Sequence, residues 1–144
     1  MRFAVFAITT LVSMAPAWGQ ACTPQTIRGT YSVTCSGYLS PAAGAPQVNA
    51  SMIGIVKSDS QGNFSGVAKV SLAGQMVDQT VTGVAVVNND CTGTISYAQK
   101  INGQPAPPLN VAFHILDDGK EIRGMAMDAG TTLICNLRLM SRQQ

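Results

Sequence analysis

Polar and apolar residues alternate along most of the chain after residue 28, with the period of two that is typical of half-buried β-strands. In the first such segment, Tyr31, Val33 and Cys35 alternate with small hydroxyl residues. The pattern predicts eight strands, at residues 29–39, 48–58, 64–72, 76–87, 91–100, 109–116, 121–128 and 131–140. No segment has extended helical periodicity, and only residues 23–28 could form a single helical turn.

The predicted connections are mostly short and rich in turn-forming residues. They lie at residues 59–63, 73–75, 88–90, 117–120 and 129–130, with longer proline-containing loops at 40–47 and 101–108. Sequential hairpins predict an antiparallel meander. Because closure of the last strand onto the first removes both exposed edges, we expect an all-β, eight-stranded antiparallel up-and-down barrel. The alternative is a two-sheet β-sandwich.

The first residues have the features of a secretory signal peptide. Arg2 precedes an apolar run at 3–15, Pro16 ends the run, and small residues follow. The run is shorter than the roughly 20 residues of a membrane-spanning helix, and no later segment is long enough. We therefore predict a signal peptide at 1–21, cleaved after Gly19 or Ala21, and one barrel domain at 22–144, in the periplasm or outside the cell. The residues before Cys22 fit a lipobox poorly, so we expect no lipid anchor there.

The chain has four cysteines, Cys22, Cys35, Cys91 and Cys135, and export implies an oxidising compartment in which they form two disulfides. Cys35 and Cys135 lie in the middle of the first and last strands, which are neighbours in a closed barrel. We expect them to pair, and Cys22 to pair with Cys91. The rival connectivity joins Cys22 to Cys35 and Cys91 to Cys135.

Charge and motif content exclude several function classes. Removal of Arg2 from the nine Lys and Arg leaves eight basic against seven acidic side chains, so we expect neither nucleic acid nor anionic lipid as a partner. The chain has no CxxC motif and a single histidine, which argues against zinc, and we expect no cofactor. It also lacks the Gly-x-Ser-x-Gly motif of hydrolases.

Candidate catalytic residues are few. His114 alternates with Phe113 and Ile115 and should point outward, and the acids mostly occupy turns. Asp78 and Arg123 are charged groups within strands. The polar residues do not converge, so we predict that the protein is not an enzyme and treat a cyclase-like barrel as the weakest hypothesis.

An eight-stranded barrel is just wide enough to be filled by side chains or to hold one small ligand. A candidate lining combines aromatic residues with methionines, which suit adaptable pockets, and one arginine for an anionic head group. These residues are Tyr31, Met52, Phe64, Tyr97, Phe113, Arg123, Met125 and Met127. The sequence thus favours a binder of a small apolar ligand, with a filled barrel that acts through its surface and the loops 40–47 and 101–108 as the alternative. A cavity of roughly 300–1,000 Å³ would favour binding.

Three short segments carry a family resemblance. Residues 29–33 (Gly-Thr-Tyr-Ser-Val), 90–94 (Asp-Cys-Thr-Gly-Thr) and 117–122 (Asp-Asp-Gly-Lys-Glu-Ile) resemble, in this order, small uncharacterised exported bacterial proteins that look like calycin-type or allene-oxide-cyclase-type eight-stranded barrels. Gly29-Thr30-Tyr31 is also similar to the Gly-x-Trp start of a lipocalin, with Arg138 in place of the arginine that packs on that aromatic residue. The resemblance implies a fold and an exported location and no particular activity.

Overall fold

The computed structural model describes residues 21–40 and 44–142, which form one closed antiparallel barrel of eight strands in sequence order. The strands are β1 (Gly29–Leu39), β2 (Val48–Ser58), β3 (Asn63–Leu72), β4 (Gln75–Val87), β5 (Thr92–Ile101), β6 (Gln104–Leu116), β7 (Glu121–Ala126) and β8 (Thr132–Ser141). Two short 3₁₀ turns, Pro24–Ile27 and Asp117–Gly119, complete the fold. The predicted up-and-down barrel is confirmed. The predicted signal peptide, apart from Ala21, lies outside the described residues.

The connections between strands lie at two opposite ends of the barrel. The lead-in end holds residues 21–28 and the turns 59–62, 88–91 and 117–120. The far end holds the turns 73–74 and 102–103 and the connections 40–47 and 127–131, of which 41–43 are not described. The β3–β4 and β5–β6 turns at the far end have two consecutive left-handed residues, as in tight type I′ hairpins.

The barrel closes between β1 and β8. Cys35 pairs with Cys135 in the antiparallel register, with Val33 opposite Leu137 and Tyr31 opposite Leu139. The two cysteines form a disulfide, and a second one joins Cys22 to Cys91. This is the predicted connectivity. The two disulfides agree with an oxidising, exported location.

The predicted loop 101–108 is wrong. The chain turns at Asn102–Gly103 and β6 already begins at Gln104, so the three prolines of this segment lie within the strand. Their part of β6 pairs with β5, whereas β7 pairs with β6 only from Val111 onward. A proline without an N–H is tolerated where one side of a strand has no partner, because no ladder hydrogen bond is lost there.

Apolar side chains form two clusters in the interior. One, near the lead-in end, contains Ile27, Tyr31 and Phe113, and the other contains Val33, Leu133 and the Cys35–Cys135 disulfide. Inward-facing glycines make room for the aromatic rings. At Gly83 a side chain would collide with Phe64 and Tyr97, whose rings meet edge to face with centroids 5.9 Å apart. Within the described residues, no helix is long and apolar enough to cross a membrane.

Candidate functional site

Five of the eight predicted lining residues face the barrel interior. Tyr31, Tyr97 and Phe113 are buried, and Met52 and Phe64 are partly buried beside them. All five line one interior cavity together with aliphatic side chains from all eight strands and with Ile27 from the lead-in. The cavity has a volume of about 110 Å³.

Arg123, Met125 and Met127 do not line the interior, which corrects the prediction for these residues. Along β7 the buried positions are Ile122, Gly124 and Ala126, so the alternate residues point outward. The cause lies on β6, because Phe113 is paired with Gly124 and a side chain at position 124 would meet Val111 Cγ1 at 2.8 Å. When position 124 faces inward, as it does here, only glycine fits.

The outward residues of β7 have other contacts. Arg123 forms an ion pair with Glu121 (2.6 Å), and its side chain is 65% exposed, so it meets no ligand head group in the interior. Met125 is paired with Ile134 of β8, and both are exposed. A second outer apolar surface lies on β2 and β3, where Ile55 is paired with Val67.

The size and lining of the cavity limit what it can hold. Its volume is below the roughly 300–1,000 Å³ of typical ligand sites. An engineered apolar cavity of about 150 Å³ in another protein nevertheless stays dry and binds benzene or xenon. The cavity of this barrel is smaller still, so it does not reach the size predicted to favour binding, and it has room at most for a molecule of about one aromatic ring.

Two polar side chains interrupt the apolar lining. Ser58 and Gln79 are 7% and 6% exposed, and both line the cavity. Ser58 Oγ and Gln79 Oε1 have no hydrogen-bond partner among the described residues. Most buried polar atoms in proteins are hydrogen-bonded, so two buried polar atoms without a hydrogen-bond partner on residues lining the same cavity require an explanation.

Gln79 belongs to a chain of side-chain hydrogen bonds toward the far end. Its Nε2 donates to Gln99 Oε1 (2.5 Å), and Gln99 Nε2 donates to the carbonyl oxygen of Pro107 (2.6 Å). Gln79 was not predicted as a site residue. The available signal was a polar residue in phase with the inward Val77 and Val81. Its neighbour Asp78, which the sequence singled out, points outward and pairs with Lys69.

The two buried tyrosines differ in their polar contacts. Tyr31 donates a hydrogen bond from its hydroxyl to the carbonyl oxygen of Gly119 (2.7 Å). Burial raises the pKa of Tyr31 to about 12, although the positive charge of Arg142 acts in the opposite direction. Burial, with a smaller contribution from the Asp128 carboxylate, raises the pKa of Tyr97 to about 12. Both phenols are therefore neutral at physiological pH.

The lead-in closes one end of the cavity. Ile27 is buried, and Arg142 donates hydrogen bonds to the carbonyl oxygens of Asp118 (2.5 Å) and Thr26 (3.4 Å), which joins the two 3₁₀ turns. The cationic group near Tyr31 is thus Arg142. Arg138, the residue suggested by the lipocalin resemblance, is exposed on the outer face opposite Ser32.

The remaining candidates for chemistry lie apart from the cavity. His114 is exposed on the outer face of β6 between Thr92 and Arg123. The turn acids Asp59 and Asp90 accept hydrogen bonds from residues two to four positions later. In the described part of the chain, no group of three His, Cys, Asp or Glu side chains is arranged to hold a metal ion.

Fold and site together define a closed eight-stranded barrel with a small, largely apolar interior, consistent with lipocalin-like architecture. Comparisons with protein-family models, with curated proteins and with solved structures give no match for this chain.

Proposed function

We propose that this protein is an exported binding protein that holds one small apolar molecule in its barrel. The cavity of about 110 Å³ carries the proposal, because its lining is almost entirely aliphatic and aromatic. Burial of apolar surface contributes about 25 cal/mol per Å², so a ligand of one ring can be retained by the hydrophobic effect.

Several observations support export and a non-catalytic role. The sulfur of Cys22 is bonded to Cys91, which leaves it unavailable for a lipid thioether. We therefore propose a location in the periplasm or outside the cell without a lipid anchor, in keeping with the predicted signal peptide. Of the ionisable side chains, Tyr31 and Tyr97 line the cavity and are neutral at physiological pH, so the proposal assigns no catalytic residue.

Titration of the purified, disulfide-bonded protein with toluene tests the proposal. We expect saturable binding by calorimetry and toluene density in the interior of a crystal. Ala68 lines the cavity, so Ala68→Leu should fill it and abolish binding. Ala112→Leu is the matched control, because Ala112 lies on the outer face opposite Met125. The absence of binding to the unchanged protein, or equal loss in both variants, contradicts the proposal. Native mass spectrometry of protein from its own host can then identify the natural ligand.

A second candidate is a barrel that acts through its outer surface. Ile53, Ile55 and Val67 are 62%, 43% and 61% exposed, and they lie side by side on β2 and β3. Such adjacent exposed apolar residues often mark interaction sites. Sedimentation velocity over a range of concentrations tests self-association there, with Ile55→Ser/Val67→Ser as the disrupting variant. Association that this variant abolishes, combined with no toluene binding, favours the surface role.

A further inference from the structure

We infer that the ligand of the barrel carries a hydrogen-bond donor, such as a phenolic hydroxyl, that bonds to Gln79 Oε1. This inference rests on the proposed function and adds the chemical class of the ligand. It follows from the direction of one hydrogen-bond chain, which leaves an acceptor without a partner on a residue that lines a largely apolar cavity.

The chain has a fixed direction because it ends on a backbone carbonyl. The carbonyl oxygen of Pro107 can only accept, so the Gln99 side chain must present Nε2 to it. Gln99 Oε1 then faces Gln79, and Gln79 must present its own Nε2 to that oxygen. Rotation of either amide by 180° would place two donors or two acceptors against each other. Oε1 is therefore the atom of the Gln79 amide that is left open.

The open oxygen is buried in the cavity lining. Gln79 is 6% exposed, and its Oε1 has no partner among the described residues. An amide oxygen accepts and cannot donate, so it selects for a donor on the ligand. The second open atom, Ser58 Oγ, makes no such demand, because a hydroxyl can donate or accept.

Ser58 and Gln79, which carry the two polar atoms, lie at different positions along the length of the barrel. Ser58 ends β2 at the lead-in end and pairs with Phe64, which pairs with Gly83 of β4. Gln79 lies four residues from Gly83 toward the far end, beyond the Phe64–Tyr97 ring pair. The inference thus orients the ligand, with its donor toward Gln79 and its apolar ring among the aromatic side chains.

Phenol and toluene form a matched pair of probes, since a hydroxyl replaces a methyl group on the same ring. The test measures the phenol-to-toluene affinity ratio by calorimetry in the unchanged protein and in Gln79→Met. Hydration of each probe is the same in both titrations, so the change in ratio isolates the contact with Gln79. We expect the ratio to fall about tenfold in Gln79→Met, as for the loss of one buried hydrogen bond.

Gln61→Met is the control, because Gln61 is exposed in the β2–β3 turn at the lead-in end. Its phenol-to-toluene ratio should equal that of the unchanged protein. If Gln79→Met does not fold, the side-chain carbonyl ¹³C resonance of Gln79 in the unchanged protein gives a second test. That resonance should move with phenol and not with toluene.

The outcomes separate the inference from the proposed function. If neither probe binds, the proposed function fails and the inference fails with it. If both probes bind and the ratio is unchanged in Gln79→Met, the barrel is a ligand binder and the inference about its donor is wrong. A resonance of Gln79 that moves equally with both probes also overturns the inference.

Discussion

The two ends of the barrel are built by different means. At the lead-in end, the Cys22–Cys91 disulfide, the Tyr31–Gly119 hydrogen bond and the Arg142 contacts join segments that are far apart in sequence. At the far end, tight two-residue turns join neighbouring strands, and the longer-range contacts include Gln47 Nε2 to Gly130 O (2.8 Å). The lead-in end is thus fixed mainly by non-local contacts and the far end mainly by local turn geometry.

Removal of the disulfides should have the largest effect. The two disulfides enclose 69 and 100 residues of sequence separation, which differ by only about 0.3 kcal/mol in the chain-entropy model. We expect Cys22→Ala/Cys91→Ala and Cys35→Ala/Cys135→Ala each to cost about 2–5 kcal/mol in the free energy of unfolding, measured by urea denaturation.

The two variants should differ in which residues show faster hydrogen exchange. Hydrogen exchange should increase at residues 21–28 and the 117–120 turn in the first variant, and along β1 and β8 in the second. Equal changes in both regions for both variants would show that the lead-in end and the β1–β8 pairing are not independent.

Tyr31→Phe should have the next largest effect. It removes the hydroxyl bonded to the Gly119 carbonyl, and we expect a loss of about 1–3 kcal/mol because that oxygen stays buried without a partner. Tyr97→Phe is the matched control, since the described residues offer its hydroxyl no hydrogen bond, and it should cost about 0.5 kcal/mol or less. Thermal unfolding measures both. A larger loss in Tyr97→Phe would contradict the importance assigned to the lead-in end.

The outcome shows which features a sequence can reveal. The inward or outward phase of most strands was predictable, because it follows from alternation along each strand. The Cys35–Cys135 closure was predictable because the first and last strands are neighbours in a closed barrel. The phase of β7 was misjudged because the large Met125 on its outward face and Met127 just after the strand are exposed, while its inward face carries Gly124 and Ala126.

Contacts across the barrel could not be predicted in the same way. Whether Gly124 faces inward depends on Phe113 of another strand, and the open oxygen of Gln79 depends on Gln99 and Pro107. The segment around Pro107 was predicted to be a loop. The sequence could not show that this part of β6 lacks a second strand neighbour, because that is a property of the assembled sheet.

Alkaline pH should weaken the barrel through the two buried tyrosines. Each has a pKa raised to about 12, against about 10 in an unfolded chain. The folded state holds these protons more tightly, so their contribution is complete below about pH 10 and is lost between about pH 10 and 12. Denaturant unfolding at several pH values should show this decline. It should be shallower in Tyr31→Phe and in Tyr97→Phe, and an unchanged slope in both would contradict the assignment.

Acidic pH should have the smallest effect, and it should act on the lead-in end. The side-chain amide of Asn63 and the backbone N–H groups of Gln61 and Asn63 lower the pKa of Asp59, and the Thr92 hydroxyl and N–H lower that of Asp90. Both carboxylates cap turns at this end. Because their folded pKa values lie below the unfolded value of about 3.9, their contribution is complete above that pH and is lost as pH falls through the folded values.

The variants Asp59→Asn and Asp90→Asn should therefore show a smaller loss of stability on acidification than the unchanged protein. Both carboxylates are exposed, so the change should be slight, and hydrogen exchange at the 59–62 and 88–91 turns is the most sensitive measurement. Faster exchange at low pH should be confined to these turns and the adjoining lead-in, because the far-end turns owe their form to left-handed backbone at Gly74 and Gly103, which does not titrate. Equal acceleration at the 73–74 and 102–103 turns would contradict the distinction between the two ends.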